Sequence, residues 1–153
     1  MEYFKWPDRW WKNWQWGTAL LAGPALWIGL YWVDSPVITL GWIIERTWLF
    51  LSIVLFYPIL EEIVFRGLVQ GWFSEKPWGM FRKYGISGAN FLTSMMFAMF
   101  HVIAHTPLMV ALVVFPSLVF GYFRDRYDGW LLPSIFLHCY YNLGYFILYK
   151  PLI

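Results

Sequence analysis

The sequence predicts an all-α fold, a polytopic transmembrane helical bundle of about five spans that follow an N-terminal interfacial segment. Of its 153 residues, 60% are hydrophobic and 24% are aromatic, and only 13% are charged. Soluble domains are about 45–50% apolar and about 25% charged. The apolar residues also form long stretches, each close to the roughly 20 residues that a helix needs to cross a bilayer. Composition and pattern therefore both exclude an ordinary soluble domain.

Residues 1–16 are predicted to lie at the membrane surface, because tryptophans stand there among lysine and arginine residues. An apolar run, 17–33, follows. A basic segment before an apolar run is also typical of a secretory signal, but this run ends in Asp34-Ser35-Pro36 without the small-residue cleavage pattern of such signals. The run is therefore predicted to be a first membrane span that stays in the protein.

Four further spans are predicted from the positions of the polar breaks. The breaks contain proline, glycine and charged residues, which commonly punctuate regular structure. No internal repeat is evident, and a single domain, 1–153, is predicted. The four spans are 47–73, 88–105, 108–123 and 130–149.

Lysine and arginine concentrate in three places: before the first span, after the second and after the fourth. By the positive-inside rule, this distribution predicts that the N-terminus and these two loops face the cytoplasm. The formal net charge is +2 and the pI is about 8.7, but the basic residues form no long basic face. The expected surroundings are therefore a lipid bilayer, and nucleic acid is not an expected partner.

The second span contains three charged residues, Glu61, Glu62 and Arg66, far from either end. A charge at such depth costs about 2.5–3.5 kcal/mol on insertion scales, and residues of this kind usually face the bundle interior and have a function. Glu62 and Arg66 are four residues apart and are predicted to form a structural ion pair. Glu61 points about 100° away from Glu62 around the helix, so one arginine cannot serve both carboxylates equally well.

The third and fifth spans carry further polar residues. His101 lies within the third span, and His138 and Asn142 lie on one face near the middle of the fifth. Each could be a packing residue or interhelical hydrogen-bond partner when taken alone. Cys139 is turned about 100° from His138, so a cysteine–histidine nucleophile pair is geometrically poor.

Taken together, these residues predict a hydrolase for amide bonds. Three helices that each carry polar groups at similar depth are best accommodated when those groups meet in one interior pocket. Glutamate and histidine can hold and deprotonate a water molecule, and histidine with an asparagine amide can stabilise the oxyanion that forms when water attacks a carbonyl.

The motifs Glu61-Glu62-x-x-x-Arg66, Phe97-x-x-x-His101 and His138-x-x-x-Asn142, in this order, resemble the signature of the CAAX protease and bacteriocin-processing (CPBP, or Abi) family. The resemblance implies a glutamic-type intramembrane endopeptidase that needs no metal and no cofactor. It implies that the first glutamate, Glu61, and the second-motif histidine, His101, activate water. It further implies that His138 and Asn142 stabilise the oxyanion and that Glu62 and Arg66 support the first motif.

The chain has about five predicted spans where many members of that family have about eight, which argues against prenylated CAAX substrates. Its compactness and the segments 87–94 and 115–121 resemble bacterial members paired with C-terminal sorting signals, notably the JDVT-CTERM group. That resemblance implies a membrane-embedded protein or peptide substrate with a C-terminal sorting signal. It also implies a location in the bacterial cytoplasmic (inner) membrane.

Two alternatives remain open on the sequence. His101-x-x-x-His105 has the helical spacing of a zinc site, which Glu61 or His138 could complete. However, Val102 stands where the zincin pattern places its catalytic glutamate. The second alternative is a non-catalytic scaffold or immunity-type membrane protein, in which the buried polar groups satisfy one another structurally.

Overall fold

The structure is a computed structural model that describes residues 10–103 and 106–150. It divides into two compact units. We call residues 60–135 the central unit, and residues 1–59 together with 136–153 the terminal unit. The predicted surface segment 1–16 lies partly outside the described residues, and within them the first long helix already begins at Trp14.

The described chain is almost entirely helical, which confirms the predicted fold class. The helices are α1 (Trp14–Asp34), α2 (Gly41–Glu45), α3 (Thr47–Ser74), α4 (Pro77–Met80), α5 (Gly88–His101), α6 (Pro107–Arg126) and α7 (Leu132–Leu148). A short antiparallel hairpin, β1 (Arg82–Lys83) and β2 (Ile86–Ser87), stands between α4 and α5.

Three of the helices in the described part of the chain are long and apolar enough to cross a membrane: Trp14–Val33, Thr47–Ser74 and Pro107–Arg126. The other two predicted spans contain shorter helices, because α5 has 14 residues and α7 has 17. A helix of the length of α5 extends over about 21 Å, which is less than the roughly 30 Å of a bilayer core.

Helix α3 departs from regular α geometry on both sides of the Glu61-Glu62 pair. Ser52–Phe56 and Ile63–Val69 are π-helical, with hydrogen bonds from residue i to i+5. The sequence prediction assumed one continuous α-helix here. Such wide turns are rare and occur mostly at functional sites. Their position on both sides of Glu61 and Glu62 therefore favours a functional role for this charged segment.

The ends of the central-unit helices are set by local capping. The side chain of Ser87 accepts a hydrogen bond from the backbone N–H of Asn90 and so begins α5. Thr106 and Pro107 begin α6 in the same region of the chain that was predicted as a break. In the hairpin, Tyr84 and Gly85 both have positive φ, which matches the twist of paired strands.

Large apolar side chains lie on the outside of the helices, as a lipid-facing protein requires. Buried positions of the central unit, by contrast, include many polar residues. Exposed apolar residues include Leu21, Ile28, Leu55, Leu68 and Phe115, and buried polar residues include Glu62, Arg66, Gln70, Asn90, Thr93 and Ser117.

Candidate active site

Glu62 and Arg66 form the predicted ion pair, with Arg66 Nε 3.3 Å from Glu62 Oε2 and both side chains 0% exposed. The Nη2 atom of Arg66 also donates to the backbone carbonyl of Ser117 at 2.9 Å and to its hydroxyl at 2.6 Å. The guanidinium lies over the ring of Phe97, 4.7 Å from its centroid. A buried charge is tolerated only when it is paired and hydrogen-bonded. Arg66 meets this condition through the Glu62 carboxylate, the Ser117 oxygens and the Phe97 ring.

Glu61 is half-buried, whereas its neighbour Glu62 is fully buried. Arg66 forms its ion pair with Glu62. This agrees with the expectation that one arginine does not serve both equally. Glu61 is therefore the carboxylate of the pair that is partly exposed, directly beside the buried Glu62–Arg66 ion pair.

His101 is joined to the same cluster through Phe97. The Phe97 and His101 rings lie 4.6 Å apart, and His101 Nδ1 is 2.8 Å from the Phe97 carbonyl oxygen. A carbonyl oxygen only accepts, so Nδ1 carries the hydrogen in this bond and, in the neutral ring, Nε2 is the acceptor. The first and second sequence motifs thus meet within the central unit, with Phe97 in contact with both Arg66 and His101.

His138 and Asn142 belong to the terminal unit. His138 is buried, and the side-chain amide of Asn142 donates to the backbone carbonyl of Ile53 at 3.0 Å. Tyr141, which lies between these two residues in the sequence, donates its hydroxyl hydrogen to the carbonyl of Ala19 at 2.7 Å. The four predicted catalytic residues are therefore divided two and two between the compact units.

The zinc alternative depends on His105, which lies outside the described residues. Among the residues that are described, no group of three or more His, Cys, Asp or Glu side chains is gathered in a way that could hold a metal ion. Cys139 is a free, half-buried thiol.

The sequence analysis missed several residues that extend the charged cluster along α3. Gln70 follows Arg66 by one further turn and is fully buried. Its Nε2 donates to the carbonyl of Gly121 at 3.0 Å and to Asp125 at 2.8 Å. The available signal was the four-residue repeat of Glu62, Arg66, Gln70 and Ser74 along an apolar span, which continues one polar face toward the basic loops.

The two basic loops that were predicted to share one side of the membrane are neighbours in the structure. Arg82, from the hairpin, and Arg124, from the end of α6, line one cavity of about 260 Å³. Asp125 and Asp128 contribute acidic groups to the same cavity. The polar face of α3 reaches this cavity through Ser74.

Comparison with known families identifies the chain. A family model described as type II CAAX prenyl endopeptidase, Rce1-like, matches residues 41–144, which is about two thirds of the sequence. The matched range includes Glu61, His101, His138 and Asn142. No curated protein and no solved structure matches the chain. The family match and the three long apolar helices agree in indicating an integral membrane protein, and the chain belongs to the Rce1-like family of CAAX-type intramembrane endopeptidases.

Proposed function

We propose that this protein is a glutamic-type intramembrane endopeptidase in which Glu61 is the general base. The observation that carries the proposal is the division of labour within the glutamate pair. Glu62 is fully buried against Arg66, while Glu61 is half-buried in the same helical turn. A general base must reach a water molecule, and the partly exposed Glu61 meets this requirement better than the fully buried Glu62.

His101 holds the attacking water in this mechanism. Because its Nδ1 donates to the Phe97 carbonyl, Nε2 of the neutral ring can accept a hydrogen bond from water. Glu61 takes the proton of that water as its oxygen attacks the scissile carbonyl. The same proton then passes to the leaving nitrogen as the C–N bond breaks. The products are one carboxyl and one amino group, so the hydrolysis is balanced without a metal or an organic cofactor.

His138 and Asn142 stabilise the oxyanion in this proposal. An imidazole N–H and a side-chain amide N–H are suitable donors to the charge that develops on the carbonyl oxygen. Both residues lie inside the range that matches the family model. Support for this part of the proposal comes from their motif and from that match.

The proposed substrates are C-terminal sorting or anchor segments of exported proteins, cut in or near the bacterial inner membrane. Large apolar side chains exposed in the first part of α3 and on α6, such as Leu55 and Phe115, provide surfaces along which an apolar substrate helix can approach. The basic loops around Arg82 and Arg124 are proposed to face the cytoplasm.

The test is co-expression with a tagged reporter protein that ends in an apolar segment of about 20 residues. Glu61→Gln keeps the size and hydrogen-bonding capacity of the side chain but removes the base. We expect it to slow reporter cleavage by about 10²–10⁴-fold, the usual contribution of a general base. Glu45→Gln is the matched control, because it makes the same chemical change at an exposed residue of α2 and should cleave at the wild-type rate.

Two further arms separate the alternatives. Cleavage that is lost with the chelator 1,10-phenanthroline and restored by zinc would identify a metalloprotease instead. Purified protein in vesicles, supplied with a farnesylated CAAX peptide or with the reporter tail, distinguishes the two substrate classes. Normal cleavage by Glu61→Gln, or equal loss in both glutamine variants, would contradict the assignment of Glu61.

A further inference from the structure

A second polar cluster lies along the same face of α3, toward its C-terminal end. Its members on α3 are Gln70, one turn beyond Arg66, and Ser74, one turn further. Its centre is Asp125, near the end of α6. The carboxylate accepts hydrogen bonds from Gln70 Nε2 at 2.8 Å, from Arg124 Nη1 at 3.1 Å and from the hydroxyl of Ser87. We call Gln70, Ser87, Arg124 and Asp125 the Asp125 node.

The Asp125 node connects three helices of the central unit. Gln70 belongs to α3, Asp125 belongs to α6, and the hydroxyl of Ser87 also accepts the backbone N–H of Asn90 and thereby begins α5. Arg124 extends the node to the end of α3, because its Nη1 also donates to the hydroxyl of Ser74 at 3.1 Å. One carboxylate therefore fixes the relative register of the helices that carry the first two sequence motifs.

The π-helical segment Ile63–Val69 lies directly between this node and the glutamate pair. It is followed immediately by Gln70. Hydrogen bonds connect this region to α6 at two positions. Arg66, inside the segment, donates to Ser117, and Gln70, directly after it, donates to Gly121 and Asp125. Wide turns of this kind are rare, and bonds to a neighbouring helix can stabilise this one.

We propose that Gln70 and Asp125 are positioning residues that hold the π-helical segment and, through it, the orientation of Glu61. This inference rests on the proposed role of Glu61 as the base. Gln70 stands nine residues from Glu61 along α3, which corresponds to about 13 Å at a helical rise. It does not act on a substrate bound at Glu61 directly, and its effect passes through the winding of the helix.

Gln70→Met tests the proposal, because methionine has a similar size and flexibility but cannot donate to Gly121 or Asp125. The matched control is Leu68→Met, in the same π-helical segment at an exposed position. Two quantities are measured on protein in vesicles: amide hydrogen exchange of peptides that cover residues 63–69, and kcat and KM for a fluorogenic peptide of the reporter tail.

We expect faster exchange in residues 63–69 for Gln70→Met and a fall in kcat of about 10- to 100-fold with little change in KM, because a displacement of about 1 Å at a catalytic group can cost 10²-fold in rate. Leu68→Met should match the wild-type protein in both measurements. Unchanged exchange, or faster exchange with unchanged kcat, would overturn the proposal.

A pair of variants keeps the test decisive if Gln70→Met folds poorly. Gln70→Glu places two acceptors opposite each other, and Asp125→Asn removes one acceptor, whereas the double variant lets the Asn amide donate to the new carboxylate. We expect the double variant to have a higher kcat than the product of the two single effects predicts. Purely additive effects would contradict a direct coupling. Failure of the proposed function shows separately, as normal cleavage by Glu61→Gln.

Discussion

The central and terminal units bury polar side chains with different partners. In the central unit, charged and amide side chains bond to one another as well as to backbone carbonyls, as in the Glu62–Arg66 pair and the Asp125 node. In the terminal unit, the polar side chains bond to backbone carbonyls at three positions. In α7, Tyr141 donates to Ala19 at 2.7 Å and Asn142 to Ile53 at 3.0 Å. Directly after α7, Tyr149 donates to Leu30 at 3.3 Å.

The difference determines how each unit should respond to mutation. A side-chain partner supplies a specific charge or donor, so its loss leaves another buried group unsatisfied. The Ala19 carbonyl lies inside α1 and has a partner within its own helix, so it loses less when the additional donor is removed. The Ile53 carbonyl lacks the usual intrahelical donor, because the Tyr57 N–H donates to Ser52 and residue 58 is a proline. We therefore expect the central unit to be sensitive at these positions and the terminal unit to be tolerant at Tyr141.

Arg66→Met should give the largest loss of stability, because it leaves the fully buried carboxylate of Glu62 without its cation. Removing one member of a buried ion pair typically costs about 3–5 kcal/mol. The free energy of unfolding can be measured in mixed micelles as the fraction of denaturing detergent is raised. The double variant Glu62→Gln with Arg66→Met should be more stable than Arg66→Met alone, since no uncompensated charge remains. A double variant that is less stable would show that the pair is not the dominant interaction.

Gly121→Ala should have the next largest effect. A Cβ atom at this position would overlap Asn90 Oδ1 and would approach Gln70 Oε1 to 2.8 Å. Overpacking of this kind typically costs about 1–3 kcal/mol. Because the amide of Gln70 would have to move, we also expect faster hydrogen exchange in residues 63–69.

The terminal unit provides a matched variant for that measurement. A Cβ atom at Gly144 would overlap the ring of Trp27, so Gly144→Ala is a comparable steric change within a different unit. It should lower the free energy of unfolding but leave exchange in residues 63–69 unchanged. Equal acceleration of exchange by both variants would remove the distinction between the units.

Charge in an apolar span was sufficient to predict part of this arrangement. The membrane class and the all-α fold followed from composition, and the Glu62–Arg66 pair followed from its four-residue spacing. The structure confirms the helical fold and the ion pair, and the family match with the three apolar helices supports the membrane class. The four catalytic assignments stay predictions. They came from motif order, and all four residues fall inside the matched family range.

The Asp125 node could not be predicted because its members are individually ordinary. Glutamine and serine are uncharged, and Asp125 stands in a stretch that was assigned to a loop, although α6 continues to Arg126. The π-helical winding was also missed, because the residue spacing was interpreted with the period of a regular α-helix, about 3.6 residues per turn. The Asp125 node depends on contacts between residues about 40–55 positions apart, as in Ser87 with Asp125 and Gln70 with Asp125, and local patterns do not contain such contacts.

Tyr141→Phe should have the smallest effect of the changes considered. It removes only the hydroxyl that donates to the Ala19 carbonyl, and that carbonyl, inside α1, keeps its intrahelical bond. Interhelical hydrogen bonds in membranes average about 0.6 kcal/mol, so the loss in the free energy of unfolding should be of that order. Reporter cleavage should stay at the wild-type rate. A decrease in the free energy of unfolding as large as that of Arg66→Met would show that the terminal unit is not tolerant, and would contradict the expected difference between the two units.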